Sequence, residues 1–255
     1  MLAKNIGALV QVKENLLMGK KNLWRAKTIN KPLDDGKLLK LFLQKMIEVR
    51  FIETVEQIET NWNDKVYDVN TADPEEAYDK MISKIPKKDY LIGFALRGSR
   101  PFDWEIRISF GIGSMLFFFF EDTLIKTQNK QVELLKHFKE IHNADNTEFA
   151  FIHPKAHYHY LEDDLYRSPI TIQSMFEGVY WANFIGPGHL ESFDQQKIMA
   201  MNAYKTEWFK NNTCLFLQGI EDISNVHKKT VEKELMRLTK LFDQARVKGS
   251  KWYED

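Results

Sequence analysis

Cysteine is nearly absent from this sequence, which carries one such residue, Cys214. A single cysteine cannot form a disulfide within the chain, so the hydrophobic core must hold the fold together. Cys214 lies in the apolar run 214–217, which predicts a buried strand and not the setting of a reactive thiol. Such cysteine usage is typical of a reducing compartment, and we therefore expect a cytoplasmic protein.

Long hydrophobic runs are also missing. The run at residues 115–120 is far too short to cross a bilayer, which needs about 20 apolar residues. The apolar stretch near the N-terminus is interrupted by Gln11, Lys13 and Glu14, so it lacks the continuous apolar region of a secretory signal. We therefore expect no association with a membrane.

The chain carries no net charge, because 36 basic residues balance 36 acidic ones. Without a global positive field, binding to nucleic acid is not expected. The charge is nevertheless uneven, since residues 1–32 contain seven basic residues and one acidic residue. We divide the chain into a basic N-terminal lead-in, residues 1–35, and a single domain, residues 36–255.

Aromatic residues are plentiful, with 18 Phe, 9 Tyr and 6 Trp in a chain that is 44% hydrophobic. Such side chains bury large apolar areas and dominate protein cores and interfaces. The chain is long enough to form a sizeable core, and disorder is not expected.

Hydrophobic periodicity predicts the elements of this domain. Three- and four-residue spacing predicts one helix over residues 37–62, and Asp73 followed by Pro74 predicts the start of a second helix, so residues 37–85 are expected to be helical. Alternation over residues 102–110 predicts a hairpin with residues 90–96. Further strands are predicted at residues 115–120, 148–152, 177–185, 206–210 and 213–218, and further helices at residues 130–142, 189–201 and 228–246.

Hairpins within this series argue against a parallel doubly wound sheet. The expected fold is α+β, an antiparallel or mixed sheet over residues 89–246 with helices packed on one face, preceded by a helical N-terminal segment.

Residues 153–164 concentrate histidines and carboxylates. His153, His157 and His159 follow an H-x-x-x-H-x-H pattern, and histidines two residues apart in a strand point to the same side, as many metal sites require. No second cluster in the sequence supplies the remaining ligands or the carboxylates that orient imidazoles. We therefore favour an exposed loop and keep a metal-dependent hydrolase as the alternative.

The same segment combines tyrosines with acidic residues, a composition that suits recognition of a basic partner. The residues are Tyr158, Glu162, Asp163, Asp164 and Tyr166. Elsewhere, the glycine pairs at 111–113 and 186–188 match no phosphate-binding pattern, and no serine lies in a nucleophile motif.

Residues 178–191 contain an aromatic-Trp-x-Asn-aromatic-x-Gly-Pro element. It comprises Tyr180, Trp181, Asn183, Phe184, Gly186 and Pro187. This element, with the helix predicted after it, resembles a hallmark of bacterial type VI secretion immunity proteins and their polymorphic-toxin relatives. The resemblance covers about residues 90–246, and the first 70 residues have no counterpart in it.

The resemblance implies a non-enzymatic protein without a cofactor, whose partner is a cognate protein toxin that it neutralises by occlusion. In that reading, Trp181, Asn183, Gly186 and Pro187 form a scaffold element, with glycine and proline shaping a turn and Asn183 binding backbone groups. Because loops carry function on such scaffolds, we place the toxin contact at residues 157–166. The chain could form a homodimer. A structural or phage-encoded interaction protein of the same fold is a further alternative function.

Overall fold

The structure is a computed structural model that describes residues 5–12, 36–60, 64–84, 92–110, 114–121, 125–144, 147–154 and 179–247. Ten strands occur in these ranges: β1 (Asn5–Val12), β2 (Val55–Thr60), β3 (Val66–Thr71), β4 (Ile92–Gly98), β5 (Trp104–Phe110), β6 (Ser114–Glu121), β7 (Thr147–Pro154), β8 (Ala182–Ile185), β9 (Lys205–Phe209) and β10 (Cys214–Gln218). The helices in the same ranges are α1 (Gly36–Glu48), α2 (Pro74–Ile82), α3 (Gln128–Ala144), α4 (Pro187–Leu190), α5 (Gln195–Met199) and α6 (Lys229–Gln244), with a 3-10 turn at Ile223–Asn225.

The strands form one sheet in the order β3-β2-β4-β5-β6-β1-β7-β8-β10-β9. Every neighbouring pair among them is antiparallel. The predicted α+β class with an antiparallel sheet is therefore confirmed. None of the helices in the described ranges is long and apolar enough to span a membrane.

Strand β1 lies within the stretch that the sequence indicated to be a basic lead-in. It pairs with β6 on one side and β7 on the other, with Ala8 opposite Phe118 and Ile152. The division at residue 35 is therefore wrong for residues 5–12, which form a central strand of the domain. The partners of β1 lie more than 100 residues later in the chain, so no pattern near residues 5–12 indicates this pairing.

The prediction of one helix over residues 37–62 is also wrong. Helix α1 ends at Glu48, and Arg50 takes a left-handed conformation with φ 59° that stops the helix. The chain then turns and enters β2, and β3 follows, so two strands lie within the region that was expected to be helical. Apolar residues at positions 51, 55 and 58 fit a helical spacing, but they are buried in a turn and a strand.

Several predicted elements are confirmed. Strands β4 and β5 form the expected hairpin, with Leu96 opposite Ile106. The β9–β10 hairpin turns through Asn211 and Asn212, whose φ values are 54° and 63°. Asparagine tolerates this left-handed region better than most residues, which is why the pair marks the turn.

The segment after β7 differs in detail from its prediction. Strand β8 is limited to Ala182–Ile185, so the strand expected over residues 177–185 is shorter. The helix expected over residues 189–201 is divided into α4 and α5. The division occurs because the Asp194 side chain accepts hydrogen bonds from the backbone N–H groups of Gln196 and Lys197, which starts a new helix.

One face of the sheet is covered by α1, α2 and α3. Phe42 of α1 contacts Phe118 of β6 and Phe138 of α3 edge-on, with ring centroids 5.2 and 5.8 Å apart. Phe138 in turn stacks on Phe184 of β8 at 6.0 Å. Each such pair contributes about 0.5–1.5 kcal/mol beyond the burial of its area. These contacts join two helices to both halves of the sheet.

The opposite face is also covered where β7, β8 and β10 lie. Along β10, Phe216 belongs to the core under α3, whereas Leu215 and Leu217 belong to a second core with Leu238 and Phe242 of α6. Adjacent strand residues point to opposite faces, so α6 packs on the other side of the sheet from α3. The expectation of helices on one face therefore holds for α1–α3 but not for α6.

The predicted cap of α2 is present, since Asp73 accepts a 2.9 Å hydrogen bond from the backbone N–H of Glu75. We expect Asp73→Ala to lower the free energy of unfolding by about 1 kcal/mol, because the N–H loses its acceptor. Asp79→Ala on the same helix is the matched control and should change stability by less than about 0.5 kcal/mol. Urea denaturation measures both, and equal losses would contradict the role of the cap.

Candidate functional site

The structure describes only part of the predicted site. The proposed toxin contacts Tyr158, Glu162, Asp163, Asp164 and Tyr166 lie outside the described residues, and so do His157 and His159. His153, Trp181, Asn183, Gly186 and Pro187 are described. The structure brings His153 and Trp181 together at the two ends of the undescribed segment 155–178.

Asn183 is a buried hydrogen-bonding centre in β8, with 1% of its surface exposed. Its Oδ1 atom accepts a hydrogen bond from the backbone N–H of Tyr180 at 3.1 Å. Its Nδ2 atom donates to the carbonyl oxygens of Tyr180 at 3.1 Å and Leu217 at 3.0 Å. The side chain thus supplies a hydrogen-bond partner to three backbone groups near the end of the strand.

Trp181 joins three segments beside Asn183. Its backbone N–H donates to Nδ1 of His153 at 3.3 Å, and its carbonyl accepts from the N–H of Gly219 at 2.9 Å. Its fully buried indole lies within the core, and the indole N–H donates to the carbonyl of Glu221 at 3.4 Å. The Trp181 and Asn183 positions therefore fix the ends of β7 and β10 relative to β8.

Gly219 allows this close approach. A Cβ atom at this position would lie 2.8 Å from the carbonyl oxygen of Tyr180 and 2.7 Å from Leu235. Backbone oxygen cannot move aside as a flexible side chain can, so a side chain at residue 219 would separate β10 from the segment before β8.

His153 is buried, with 5% of its surface exposed, and its bond to Trp181 indicates which ring nitrogen acts as the acceptor. Because a backbone N–H can only donate, Nδ1 must be an acceptor, and the neutral ring then carries its proton on Nε2. A metal ligand needs a free lone pair, and with this tautomer Nε2 offers none. In this arrangement His153 positions the backbone of Trp181.

Within the described ranges, no three His, Cys, Asp or Glu side chains are grouped so that they could hold a metal ion. The three-histidine hypothesis also involves His157 and His159, so it remains a prediction from the sequence.

Gly186 and Pro187 begin the turn after β8. The backbone N–H of Leu190 donates to the carbonyl of Gly186 at 3.1 Å, and that of Glu191 donates to Pro187 at 3.1 Å. Proline suits the first helical position, because its missing N–H has no partner there in any helix. The pair therefore connects β8 to α4.

A second candidate site lies on the charged face of β2, β4 and β5. Arg97 of β4 forms ion pairs with Glu105 of β5, at 2.6 Å, and with Glu59 of β2. Arg107 pairs with the other oxygen of Glu105. Arg97 and Glu105 are direct register partners across the two strands, the geometry in which opposite charges stabilise a sheet.

These contacts shift ionisation in both partners. Burial alone would raise the pKa of Glu105, but hydrogen bonds from Arg97 and Arg107 outweigh it and lower this pKa. Burial would likewise lower the pKa of Arg97, and its contacts with Glu105 and Glu59 raise it instead. Glu105 and Arg97 are therefore both ionised at neutral pH.

A cleft of about 330 Å³ opens at one end of this charged face. Four ionisable side chains line it, three carboxylates and one guanidinium: Glu56, Asp103, Glu105 and Arg97. The rest of the wall is formed by Gln57, Gly98, Ser99 and Trp104. The alternation of apolar and polar residues predicted the solvent-exposed face of β5. It did not predict the cleft, because β2, which forms part of its wall, lies in a distant part of the sequence.

No protein-family model matches this sequence. Comparison with curated proteins also gives no match. Among solved structures, the fold is similar to that of the Pseudomonas aeruginosa T6SS protein PA0821, with a TM-score of 0.53 and 12% sequence identity. The match covers 95% of this chain and 73% of that chain. At this identity, the similarity shows a shared fold.

Replacing Asn183 with leucine should lower the free energy of unfolding by about 2–5 kcal/mol, because two partly buried groups of Tyr180 and the buried carbonyl of Leu217 lose their partner. Asn183→Asp should also destabilise at pH 7, since a carboxylate oxygen would face two carbonyl oxygens. It should recover in part at pH 5, because a protonated carboxyl can donate again.

Urea denaturation of these variants is compared with that of Asn225→Leu, the same change at a side chain that makes no hydrogen bond within the described ranges. A loss at Asn183 no greater than at Asn225 would contradict the role of the carboxamide.

Glu105→Gln should be less stable than the wild type at pH 7, because Arg97 and Arg107 lose their shared carboxylate. A carboxyl whose pKa is lowered on folding stabilises the protein above its unfolded pKa and ceases to do so as the pH falls through the folded value. The difference between wild type and variant should therefore shrink as the pH falls below the ordinary value of 4.5.

Urea midpoints at pH 7 and pH 3.5 measure this difference, with Glu53→Gln at an exposed position as the control. A difference that stays constant with pH would contradict the pairing.

Proposed function

We propose that this chain is a type VI secretion immunity protein that binds a cognate bacterial toxin and neutralises it by occlusion, without catalysis. The observation that carries this proposal is the fold similarity to the P. aeruginosa T6SS protein over 95% of the chain. The Trp181–Pro187 element supports it independently, since it resembles a hallmark of immunity proteins.

The hydrogen bonds of the described residues favour a binding protein over an enzyme. Trp181, Asn183 and His153 bind backbone groups of neighbouring segments, which is a scaffold role. The charged residues on β4 and β5 pair with one another. These polar groups stabilise the fold and leave recognition to the loops and surfaces that the scaffold presents.

We propose residues 157–166 as a toxin contact, through Tyr158, Glu162, Asp163, Asp164 and Tyr166. The chain enters this region from β7 and returns to β8, and these strands are antiparallel neighbours, with Ile152 opposite Ala182. The hydrogen bond between His153 and Trp181 closes the base of the segment. A fixed base reduces the entropy that binding must overcome.

The toxin is to be identified by capture on the tagged protein from lysate of the bacterium that encodes it, followed by mass spectrometry. A protein retained at nearly one-to-one ratio is then expressed alone. Co-expression with this chain should prevent the growth arrest that the toxin causes. A toxin that still arrests growth when this chain is present would contradict the proposal.

Reversing the charge of Glu162, Asp163 and Asp164 to lysine should raise the Kd for the toxin at least about tenfold, because buried charge pairs would become repulsive. The matched control reverses three exposed acids elsewhere, Glu53, Asp79 and Glu191, and should change the Kd by less than about twofold. Calorimetric titration measures both variants, and circular dichroism checks their folding.

Equal Kd values for the two triple variants would remove residues 157–166 as the contact. Stoichiometric metal in the purified protein that is lost in His157→Ala would instead favour the hydrolase alternative.

A further inference from the structure

The two edges of the ten-stranded sheet differ in how open they are to another strand. The outer strand at one end is β3, and the outer strand at the other end is β9. At alternate positions, an edge strand directs its N–H and carbonyl groups away from the sheet, where they can pair with a strand of another chain. Proteins therefore usually give their edge strands features that prevent such pairing.

The β3 edge carries three features of this kind. Its pairing with β2 shifts register between Val55 and Gln57. Within the strand, Asn70 takes a left-handed conformation with φ 48°. The ammonium group of Lys80 on α2 also donates a 3.1 Å hydrogen bond to the carbonyl of Val69. Such irregularities bend an edge and interrupt the row of backbone groups, so β3 is poorly suited to receive another strand.

The β9 edge is regular and open by comparison. Its five residues pair with β10 in one continuous register, from Lys205 opposite Gln218 to Phe209 opposite Cys214. All five remain at least partly exposed, whereas β10 is buried at every position. Within the part of the chain that the structure describes, the backbone of β9 has no hydrogen-bond partner besides β10. One side of β9 can therefore accept another strand.

The sequence around β9 is complementary to itself in an antiparallel arrangement. Lys205 and Glu207 lie on either side of Thr206, and the aromatic residues Tyr204 and Trp208 lie one position further out. When Thr206 stands opposite Thr206 of a second copy, Lys205 faces Glu207 and Tyr204 faces Trp208. Two-fold symmetry makes each of these pairs occur twice. Opposite charges, paired threonines and paired aromatic residues are cross-strand combinations that stabilise antiparallel sheets.

The charges select this register over its neighbours. Sliding one copy by two residues places Glu207 opposite Glu207 in one direction and Lys205 opposite Lys205 in the other, and like charges directly opposite destabilise a sheet. In the favoured register, each Lys205 joins a cluster that already exists. Glu207 accepts ion pairs from Lys205 of its own chain at 2.9 Å and from Lys139 of α3 at 2.7 Å.

We propose that β9 pairs with β9 of a second copy of this chain, antiparallel about a two-fold axis at Thr206. The two ten-stranded sheets then continue into one another across the homodimer. The pairing also covers more of Trp208 and Phe209, which are half-buried and pack against the cores on opposite faces of the sheet. This interface does not depend on the proposed immunity function.

We expect a weak dimer, because two strands of five residues bury less area than the interfaces of stable dimers. The Kd should be on the order of 100 μM, as in transient complexes. Sedimentation equilibrium of the full chain, at protein concentrations from about 10 μM to about 1 mM, spans this value and measures the dimer mass directly.

Reversing one charge tests both the edge and the register. Lys205→Glu and Glu207→Lys each place like charges opposite one another, and each should raise the dimer Kd at least about tenfold. In an equal mixture, the two variants have opposite charges at both positions and should form a heterodimer about as tightly as the wild type dimerises. The matched controls Lys233→Glu and Glu53→Lys reverse exposed charges outside β9 and should change the Kd by less than about twofold.

Circular dichroism checks the folding of each variant, since Glu207→Lys also loses the ion pair with Lys139. If that variant does not fold, Thr206→Lys retains Glu207, places two lysines on the axis and should also weaken the dimer at least about tenfold. A wild type that stays monomeric at about 1 mM would overturn the proposal. So would folded variants that dimerise as tightly as the wild type, or a mixture of the two folded charge variants that stays monomeric.

Discussion

One carboxamide controls the backbone hydrogen bonding at the end of β8. Asn183 binds both the N–H and the carbonyl of Tyr180 and also the carbonyl of Leu217 on β10. These three bonds hold the chain before β8 in a tight turn beside the neighbouring strand. The position of Trp181 depends on that turn, and so does its bond to His153 on β7. The Asn183 side chain thus connects β8 to β10, and the neighbouring backbone of Trp181 adds the link to β7.

The two halves of the sheet differ in how their faces are covered. At the β7–β10 end, helices cover both faces, so β10 is buried at every position. At the β2–β5 end, α1 and α2 belong to the core on one face, and the other face carries the Arg97–Glu105 network. Such a face needs no helix, because cross-strand ion pairs satisfy its side chains while leaving them open to solvent. The architecture thus combines a rigid, doubly covered half with a charged surface that a partner can reach.

The elements that could be predicted from the sequence are those defined by residues close to one another in the chain. The alternation around Trp104, Ile106 and Ile108 defined β5, and Asn211-Asn212 defined a turn, because each depends on neighbours within a few residues. The prediction of one helix over residues 37–62 was wrong because it relied on local spacing alone. Phe51, Val55 and Ile58 have helical spacing, but they belong to a turn and a strand. Local spacing does not distinguish a helix from a turn and a strand when all the apolar residues concerned are buried.

Features that depend on distant pairing were not predictable. The cleft joins Glu56 of β2 to Asp103 before β5, and nothing near either residue indicates the other. Asn183, in contrast, was expected to bind backbone groups, although the sequence did not indicate that one of them belongs to β10.

The central place of β1 has a consequence for the order of folding. Residues 5–12 are synthesised before either of their sheet neighbours, β6 and β7. Until both neighbours emerge from the ribosome, neither edge of this strand can form its native hydrogen bonds. Sheets completed by such long-range contacts fold slowly and leave strand edges exposed to aggregation. In cells, this chain should therefore depend on chaperones that bind early, at its N-terminal strand.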